Sequence, residues 1–534
     1  MTKIKLLSWN TTAKEIKVNS GSQVHTLKAT SSLFARMLVI TRSARESIDL
    51  ETVIGTHEFA YTNRILMKPD GSIHPTTDKN TVIHLLENLV KTDSNTTQES
   101  LHDRKLCCLV VDGMEVLQEL MAVKNFKDCK DLATSYVKLI DSKGRGYEQV
   151  RVIFDNYTKV LSLKEGTRQQ RRDKTKGIRS FEVDGSTRIR DKGTFLSSSD
   201  TKDSLTIYLA EQLINTSTTE NLMTATHKRV MTNFECLVTT GVSTQEEADT
   251  LMILHAAEVA KSGLVVHIYS QDTDVLLLAL RRLPALSDKA ALIMGTSEHR
   301  RKVMLRPIYD ELGQEKAAAL INWHALTGCD TTGHIQGKSK KGCFSAFLAA
   351  HPSVISAIAG LGVGTEPSVE VVRSCEEFLT ALFCPRHLHI TRADALRWHL
   401  FKLLKPDQGV DKLPPTPGAW MQHIRRAHLQ ANIWSQDLVL HPNTLDPLKL
   451  GWQKEGDKLL PVLSEEPAAP DAVLQLVRCN CGATRVHLNR KVCTRVCSCK
   501  TNNIVCTELC NCEGDVDKCQ NIQKPTSEED SEEE

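Results

Sequence analysis

The sequence predicts an α/β protein whose open, mostly parallel sheet has flanking helices, joined to a small cysteine-rich C-terminal module. The sheet is predicted by four apolar runs rich in β-branched residues, each ending in a turn or an acidic residue: CCLVVDG, VRVIFDN, LVVHIYSQDTD and AALIMGT. Helical patterns lie between the runs, and buried parallel strands that alternate with helices form such a sheet. The module is predicted by nine of the 17 cysteines, which lie between Cys479 and Cys519.

Length and charge set the outer bounds of the interpretation. A chain of 534 residues with 40% hydrophobic and 25% charged residues is ordinary for globular protein and long enough for about two to four domains. The net charge is only +2, but it is uneven, with basic residues at 164–179 and an acidic C-terminal end that we expect to be disordered. Because no apolar run reaches the length of a membrane span and the N-terminus lacks an apolar signal segment, we expect a soluble, intracellular protein without a membrane partner.

The elements follow in order along the chain. Residues 1–100 are polar and weakly periodic, with a turn at KPDGSIHP and an amphipathic helix candidate at TVIHLLENLV, and their role is not assigned. The predicted sheet domain covers residues 101–350, with a Ser/Thr-rich insertion at 164–240. The remaining predictions are a helical extension at 351–412, a linker and tryptophan-containing segment at 413–478, the cysteine module at 479–522 and an acidic tail at 523–534.

Acidic residues recur where the predicted strands end. In open α/β sheets, ligands bind beyond the carboxyl ends of the strands, and strand alternation places the two acids of QDTD on one face. Two further acids begin a predicted helix, and one closes the turn ALTGCD. The seven candidates are Asp112, Asp155, Glu247, Asp249, Asp272, Asp274 and Asp330.

Seven acids at one sheet edge would repel one another unless cations neutralise them. Hard divalent cations, which prefer oxygen ligands, neutralise such charges. Clusters of this kind commonly bind two Mg²⁺ or Mn²⁺ ions about 3.5–4 Å apart. Aspartates at strand ends also cap helices, so a scaffold that keeps these acids for folding remains an alternative. His324 and His334, near Asp330, are predicted to be structural or exposed rather than metal ligands.

The ordered motifs VVDGM, VIFDN with SLKEGTRQQRR, EEAD, SQDTDVLLL and TGCDTTGHIQGKSKKG resemble the flap endonuclease/XPG branch of PIN-like nucleases over about residues 104–350. The resemblance implies a PIN-like fold with a helix-two-turn-helix, metal-dependent cutting of DNA and seven metal-binding acids. It implies that Lys164, Arg168 and Arg171 stabilise the scissile phosphate. It also implies DNA contacts by Arg172, Ile335, Gly337, Lys338, Lys340 and Lys341, although Ser339 replaces a glycine of the family's hairpin.

The C-terminal cysteines have the spacing C-x-C-x11-C-x3-C-x-C-x6-C-x3-C-x-C-x6-C. Zinc prefers four thiolate or imidazole ligands, so nine thiolates suit about three zinc ions if three sulfurs bridge. The predicted zinc ligands are Cys479, Cys481, Cys493, Cys497, Cys499, Cys506, Cys510, Cys512 and Cys519. A zinc knot that only folds the tail remains an alternative.

This spacing resembles the CXC domain of the tesmin/TSO1 family and related chromatin proteins. The resemblance implies DNA binding in the nucleus, with Arg490, Lys491, Arg495 and Lys500 available to a phosphate backbone. The sequence therefore favours a DNA-binding protein with a Mg²⁺-dependent, structure-specific nuclease domain. A non-catalytic chromatin protein, or a mobile-element-derived DNA-binding protein with a degenerate PIN-like scaffold, remains the alternative.

Overall fold

A computed structural model gives the fold. It describes residues 15–20, 23–28, 33–42, 49–60, 62–76, 80–90, 103–157, 163, 180–235, 241–295, 300–404, 410–456, 458–474, 478–481, 492–494, 496–502, 504–507, 509–515 and 517–522. The predicted acidic tail and the whole of the basic stretch at 164–179 lie outside these ranges.

The described strands form one large sheet and two hairpins. In chain order they are β1 (Glu15–Ser20), β2 (Gln23–Lys28), β3 (Cys107–Asp112), β4 (Gln149–Ile153), β5 (Leu222–Ala225), β6 (Val230–Thr232), β7 (Val265–Tyr269), β8 (Ala291–Met294), β9 (Arg301–Met304), β10 (Trp452–Glu455) and β11 (Lys458–Pro461). The pairs β1/β2 and β10/β11 are antiparallel hairpins.

The described helices number eighteen, short 3₁₀ turns aside. They are α1 (Leu33–Arg42), α2 (Leu50–Thr56), α3 (Asn80–Glu87), α4 (Gly113–Val123), α5 (Cys129–Gly144), α6 (Lys192–Phe195), α7 (Ser199–Thr216), α8 (Ala248–Lys261), α9 (Thr273–Arg282), α10 (Leu305–Leu312), α11 (Gln314–Thr327), α12 (Lys340–Ala349), α13 (Pro352–Ala359), α14 (Val369–Ala381), α15 (Ala393–Leu403), α16 (Pro417–Ser435), α17 (Asp471–Leu474) and α18 (Ser498–Thr501).

The large sheet has the order β6-β5-β4-β3-β7-β8-β9. Its five central strands are parallel, and the edge strands β6 and β9 are antiparallel to their neighbours. The chain runs outward from β3 through β4 and β5 and then returns to place β7 on the other side of β3. A crevice for ligands opens at such a reversal, beyond the carboxyl ends of the strands. The predicted α/β fold with a mostly parallel sheet and flanking helices is confirmed.

The predicted insertion at 164–240 is wrong for its second half. Strand β5 pairs in parallel with β4 in the centre of the sheet, and helix α7 packs on the same core through fully buried Leu205, Leu209 and Leu213. Polar residues surround these apolar positions, so the short strand LMTA does not stand out in the sequence.

The chain divides into two compact units that differ from the predicted boundaries. One comprises Leu66–Leu382 and Met421–Val462 and contains the large sheet, so part of the unassigned region 1–100 belongs with it. The other comprises Met1–Ile65, Phe383–Trp420 and Leu463–Glu534. Each is therefore assembled from segments that are distant in sequence.

The second unit has its own apolar core, in which Phe34 lies edge-on to Phe59 and Phe401, each at 5.8 Å between ring centroids. The fully buried Arg397 donates to the carbonyl oxygens of Ile54 and His57, at 2.9 Å each. The linker sequence LPPTPGAW (413–420), which starts the predicted segment 413–478, is part of this unit: residues 413–416 are buried, and Pro417 begins α16. Proline suits the first turn of a helix because the N–H it lacks has no partner there.

Among the described residues, no single helix is long and apolar enough to cross a membrane. Only the pair α12 and α13 together has the length and composition of a membrane span, and the two helices are bent by 117° relative to each other.

Candidate functional site

Two predicted acids stand at the carboxyl ends of neighbouring strands. Asp112 ends β3 and caps α4, where Oδ1 accepts from the N–H groups of Met114 and Glu115 at 2.9 and 3.0 Å. Asp155 lies two residues beyond β4, and its Oδ1 accepts from the first N–H of α8, that of Ala248, at 2.8 Å. The two strands run parallel in register, with Asp112 opposite Ile153. These capping bonds orient the carboxylates and hold them at this edge of the sheet.

Three of the predicted acids gather closely. One carboxylate oxygen each of Asp249, Asp272 and Asp274 lies within 4.8 Å of the others. Asp249 is in the first turn of α8, while Asp272 caps α9 and accepts from the N–H of Asp274 at 2.9 Å. Asp249 and Asp274 are buried. Converging carboxylate oxygens in a buried setting suit a hard divalent cation.

The pKa shifts of Asp112 and Glu115 show that both carboxyl groups interact with this group of acids. Glu115 was not among the acids predicted from the sequence. Burial, and next the charges of Asp155 and Glu115, raise the pKa of Asp112 to about 8. Burial, with a further contribution from Asp272, raises the pKa of Glu115 to about 7. Glu115 also accepts from the N–H of Gln271 at 2.7 Å, which fixes the turn that carries the QDTD acids. Its position three residues after Asp112, on the same face of α4, is the sequence signal that could have found it.

The remaining two predicted acids sit on the flanks. Glu247 is the buried N-cap residue of α8, two positions before Asp249. Asp330 follows α11, and its Oδ1 accepts from the hydroxyl of Thr76 at 3.0 Å. His324, which was predicted to be structural or exposed rather than a metal ligand, has a buried Nε2 that lies 3.2 Å from Oδ1 of Asp274.

The predicted duplex-binding segment from Ile335 to Lys341 makes a tight turn into α12. Gly337 has φ +79°, which favours glycine, and Ser339 caps α12. The side chain of Ile335 is fully buried, so only its main chain could contribute to the predicted DNA contact. Lys341 is exposed and Lys338 half-buried.

Lys340 of the same segment points back into the protein. Its Nζ donates to Thr327 Oγ1 at 2.8 Å and to the carbonyl oxygens of Gly328 and His324 at 2.7 and 3.2 Å. The ammonium group lies 4.9 Å from the ring centroid of Trp323. Burial lowers the pKa of Lys340 to about 8. In this arrangement Lys340 caps the C-terminus of α11.

Several predicted DNA-binding and phosphate-binding residues lie outside the described ranges. These are Lys164, Arg168, Arg171, Arg172, Arg490, Lys491 and Arg495. Lys500, on α18, is described and exposed. The roles of all these cations remain predictions.

All nine C-terminal cysteines come together in one cluster. Eight are buried, Cys481 is half-buried, and no disulfide joins them. Cys479 Sγ lies 3.6 Å from that of Cys493 and 3.8 Å from those of Cys506 and Cys512. Three sets of four cysteines are close enough to hold a metal ion, and Cys479 belongs to each. Zinc is a fitting ion for such thiolate tetrads.

Main-chain bonds hold the segments of the cysteine cluster in place. The N–H of Asn511 donates to the carbonyl of Cys479 at 3.0 Å, and the N–H of Cys506 donates to that of Asn521 at 2.7 Å. Burial opposes ionisation of Cys497, but the N–H groups at the start of α18 lower its pKa to about 7. A lowered pKa favours the thiolate form that binds metal.

The fold and the gathered acids define a class: an α/β protein with a carboxylate site suited to divalent cations where its sheet order reverses. The D15 protein of bacteriophage T5, crystallised with metal ions, aligns with 62% of this chain and 90% of its own at 14% identity and a TM-score of 0.33. The catalytic core of Rad2 in complex with a DNA substrate aligns with 50% of this chain and 67% of its own at 15% identity and a TM-score of 0.30.

The T5 5′-exonuclease with bound zinc aligns with 62% of this chain and 98% of its own, at 15% identity and a TM-score of 0.31. No protein-family model matches the sequence, and no curated protein matches it either.

Proposed function

We propose that the chain is a DNA-binding protein whose sheet-containing unit hydrolyses phosphodiester bonds with Mg²⁺ or Mn²⁺, as a structure-specific nuclease of the flap endonuclease/XPG type. The observation that carries the proposal is the convergence of Asp249, Asp272 and Asp274 within 4.8 Å. These acids lie beyond the carboxyl end of β7, next to β3, where the strand order reverses.

The carboxylate set fits two divalent cations chemically. Asp112 shares the repulsive field of Asp155 and Asp272, which a cation would relieve. Bound cations would neutralise charge on the attacking and leaving oxygens of a phosphodiester. We assign the holding role to the seven predicted acids, and we assign Lys164, Arg168 and Arg171 to stabilising negative charge on the phosphate.

DNA binding is assigned to two surfaces. On the first unit, the turn from Ile335 to Lys341 offers main-chain groups around Gly337 and the cations Lys338 and Lys341, with Arg172 as a further contact. On the second unit, the nine cysteines form a CXC module of the tesmin/TSO1 type that holds about three zinc ions. Arg490, Lys491, Arg495 and Lys500 then face the phosphate backbone, and the protein acts in the nucleus.

The test uses the purified full chain, with branched and linear DNA, in Mg²⁺ and in EDTA. We expect Mg²⁺-dependent cutting that Asp272→Asn and Asp274→Asn abolish. The matched control is Asp288→Asn, because Asp288 is an exposed acid that pairs with Arg306 away from the site. Cutting that persists in EDTA, or in both site variants, would refute the proposal.

The cysteine cluster favours a second candidate, a non-catalytic DNA-binding protein of chromatin or mobile-element origin. All nine thiols gather without any contribution from the carboxylate site. In the same assay this candidate predicts DNA binding without cutting, and binding that survives Asp272→Asn.

A further inference from the structure

We propose that His324 is a positioning residue for the carboxylate site: it holds Asp274 in the orientation that binds the cation, without being a ligand itself. The inference rests on the proposed function, because it takes the group of Asp249, Asp272 and Asp274 as a cation site. It adds a residue that the acidic motifs do not contain.

The contact between the two side chains is direct and shielded from water. His324 Nε2 lies 3.2 Å from Asp274 Oδ1, and the two side chains are 1% and 3% exposed. The two atoms are at ion-pair distance, although their alignment is not that of a hydrogen bond. His324 does not belong to the group whose ligand atoms converge within 4.8 Å, which distinguishes its role from that of Asp274.

The imidazole is itself held in place. Its centroid lies 6.4 Å from the rings of both Trp323 and Trp434, at tilts of 54° and 37°. Lys340 Nζ donates to the main-chain carbonyl of His324 at 3.2 Å. An imidazole flanked by two indole rings and held at its backbone gives Asp274 a rigid polar neighbour.

Hydrogen-bonding partners of metal ligands fix the ligand's orientation, and their loss typically weakens metal binding about 10–100-fold. His324 makes a close polar contact with Asp274 from a separate element, the last turn of α11, and we assign it the same orienting role. The pairing couples the cation site to the helix that leads into the predicted duplex-binding turn.

The experiment compares two substitutions of similar size in the full chain. His324→Gln keeps an N–H donor near the position of Nε2, whereas His324→Met keeps the volume and removes the donor. Mn²⁺ affinity is measured by electron paramagnetic resonance without DNA, and thermal unfolding in EDTA is measured beside it. We expect His324→Met to bind Mn²⁺ at least about 10-fold more weakly and His324→Gln to stay within about 3-fold of the unsubstituted chain.

Three results would overturn the inference. Equal Mn²⁺ affinity in His324→Met and the unsubstituted chain removes the positioning role but leaves the proposed function intact. If both variants lose Mn²⁺ affinity equally and their melting temperatures fall by matching amounts, His324 contributes through packing alone. No Mn²⁺ binding by the unsubstituted chain overturns the proposed function and this inference with it.

Discussion

The hydroxyl of Thr76 donates a 3.0 Å hydrogen bond to Oδ1 of Asp330, across 254 residues of sequence. The same part of the chain makes a second contact, because the N–H of His334 donates to the carbonyl of His74 at 3.1 Å. A segment with no role assigned from sequence therefore supports one of the seven predicted acids and the loop that follows it.

Thr76→Val should weaken Mg²⁺-dependent cutting about 10-fold, because Asp330 loses the donor that orients it. Thr76→Ser keeps the hydroxyl and should cut at close to the normal rate. Cleavage rates at limiting Mg²⁺ check this, with melting temperatures to exclude misfolding. If the valine variant cuts as well as the serine variant, the contact has no part in the site.

Substitution of Lys340 should lower stability, whereas substitution of its neighbour Lys341 should lower DNA affinity. Lys340→Met removes three hydrogen bonds at the end of α11 and should lower the free energy of unfolding by about 1.5–3 kcal/mol. Lys341→Met changes an exposed side chain and should leave stability within about 0.5 kcal/mol while weakening duplex affinity. Urea unfolding and DNA titrations at two salt concentrations measure both. Unchanged stability in Lys340→Met would contradict its capping role.

Asp272→Asn should stabilise the cation-free protein and destabilise the loaded one. Asparagine still caps α9, but the substitution removes a charge that raises the pKa of both Asp112 and Glu115. In EDTA the melting temperature should rise, and the further rise on adding Mg²⁺ should shrink below that of the unsubstituted chain. Equal Mg²⁺ shifts in the two proteins would exclude Asp272 as a cation ligand.

The buried His255 should oppose folding in acid, against Asp112 and Glu115 of the same unit, whose raised pKa values favour the folded state as pH falls. Its Nδ1 accepts from Arg151 at 3.0 Å and lies 3.9 Å from Glu258 Oε2, and burial, then the Arg151 charge, lower its pKa to about 3. Because the folded pKa lies below the unfolded value near 6.5, the contribution is full above that pH and is lost as pH falls towards 3. Between pH 7 and 5 the contribution of His255 alone should fall by about 2 kcal/mol.

His255→Gln is the matched variant for this test, because glutamine offers an acceptor to Arg151 and does not titrate. Urea unfolding at pH 7 and 5 should show the free energy of unfolding of the unsubstituted chain falling by about 2 kcal/mol relative to that of the variant. An equal change in both proteins would exclude a contribution from His255.

Zinc removal should unfold the cysteine module and spare the sheet. Structural zinc sites contribute their binding free energy to folding, so chelation should abolish amide protection at Val492 and Cys506, whose N–H groups bond to Lys518 and Asn521. Protection in β3 and β7 should persist. Hydrogen exchange measures both, and native mass spectrometry should count about three zinc ions before chelation. Retained protection at Val492 in the zinc-free chain would contradict the prediction.

The central strands could be predicted because their apolar runs are long and end in acids, as β3, β4 and β7 do. The position of three acids at one edge followed from the same pattern. Strand β5 was not predicted, because its four residues, LMTA, include a threonine, lie between polar residues and resemble loop sequence. The LPPTPGAW segment was predicted as a linker from its prolines, yet tertiary burial of residues 413–416 overrides that composition.

Side-chain direction was the harder part of the site to predict. A lysine in a basic turn ordinarily faces solvent, and only the structure shows that three acceptors turn Lys340 inward. His324 contacts Asp274, and Thr76 contacts Asp330, from parts of the chain distant in sequence. A single sequence has no local pattern that predicts such contacts. Glu115 did carry one, the i, i+3 spacing from Asp112.

The segmented composition of the second unit affects the order of events on the ribosome. The helices α1 and α2 emerge early, yet Arg397 and Phe401, which complete their surroundings, are synthesised more than 300 residues later. At about 5–20 residues per second, the apolar face of α1 waits on the order of 15–70 s for its partners. During that interval the nascent chain should be a client of chaperones that bind exposed apolar helices.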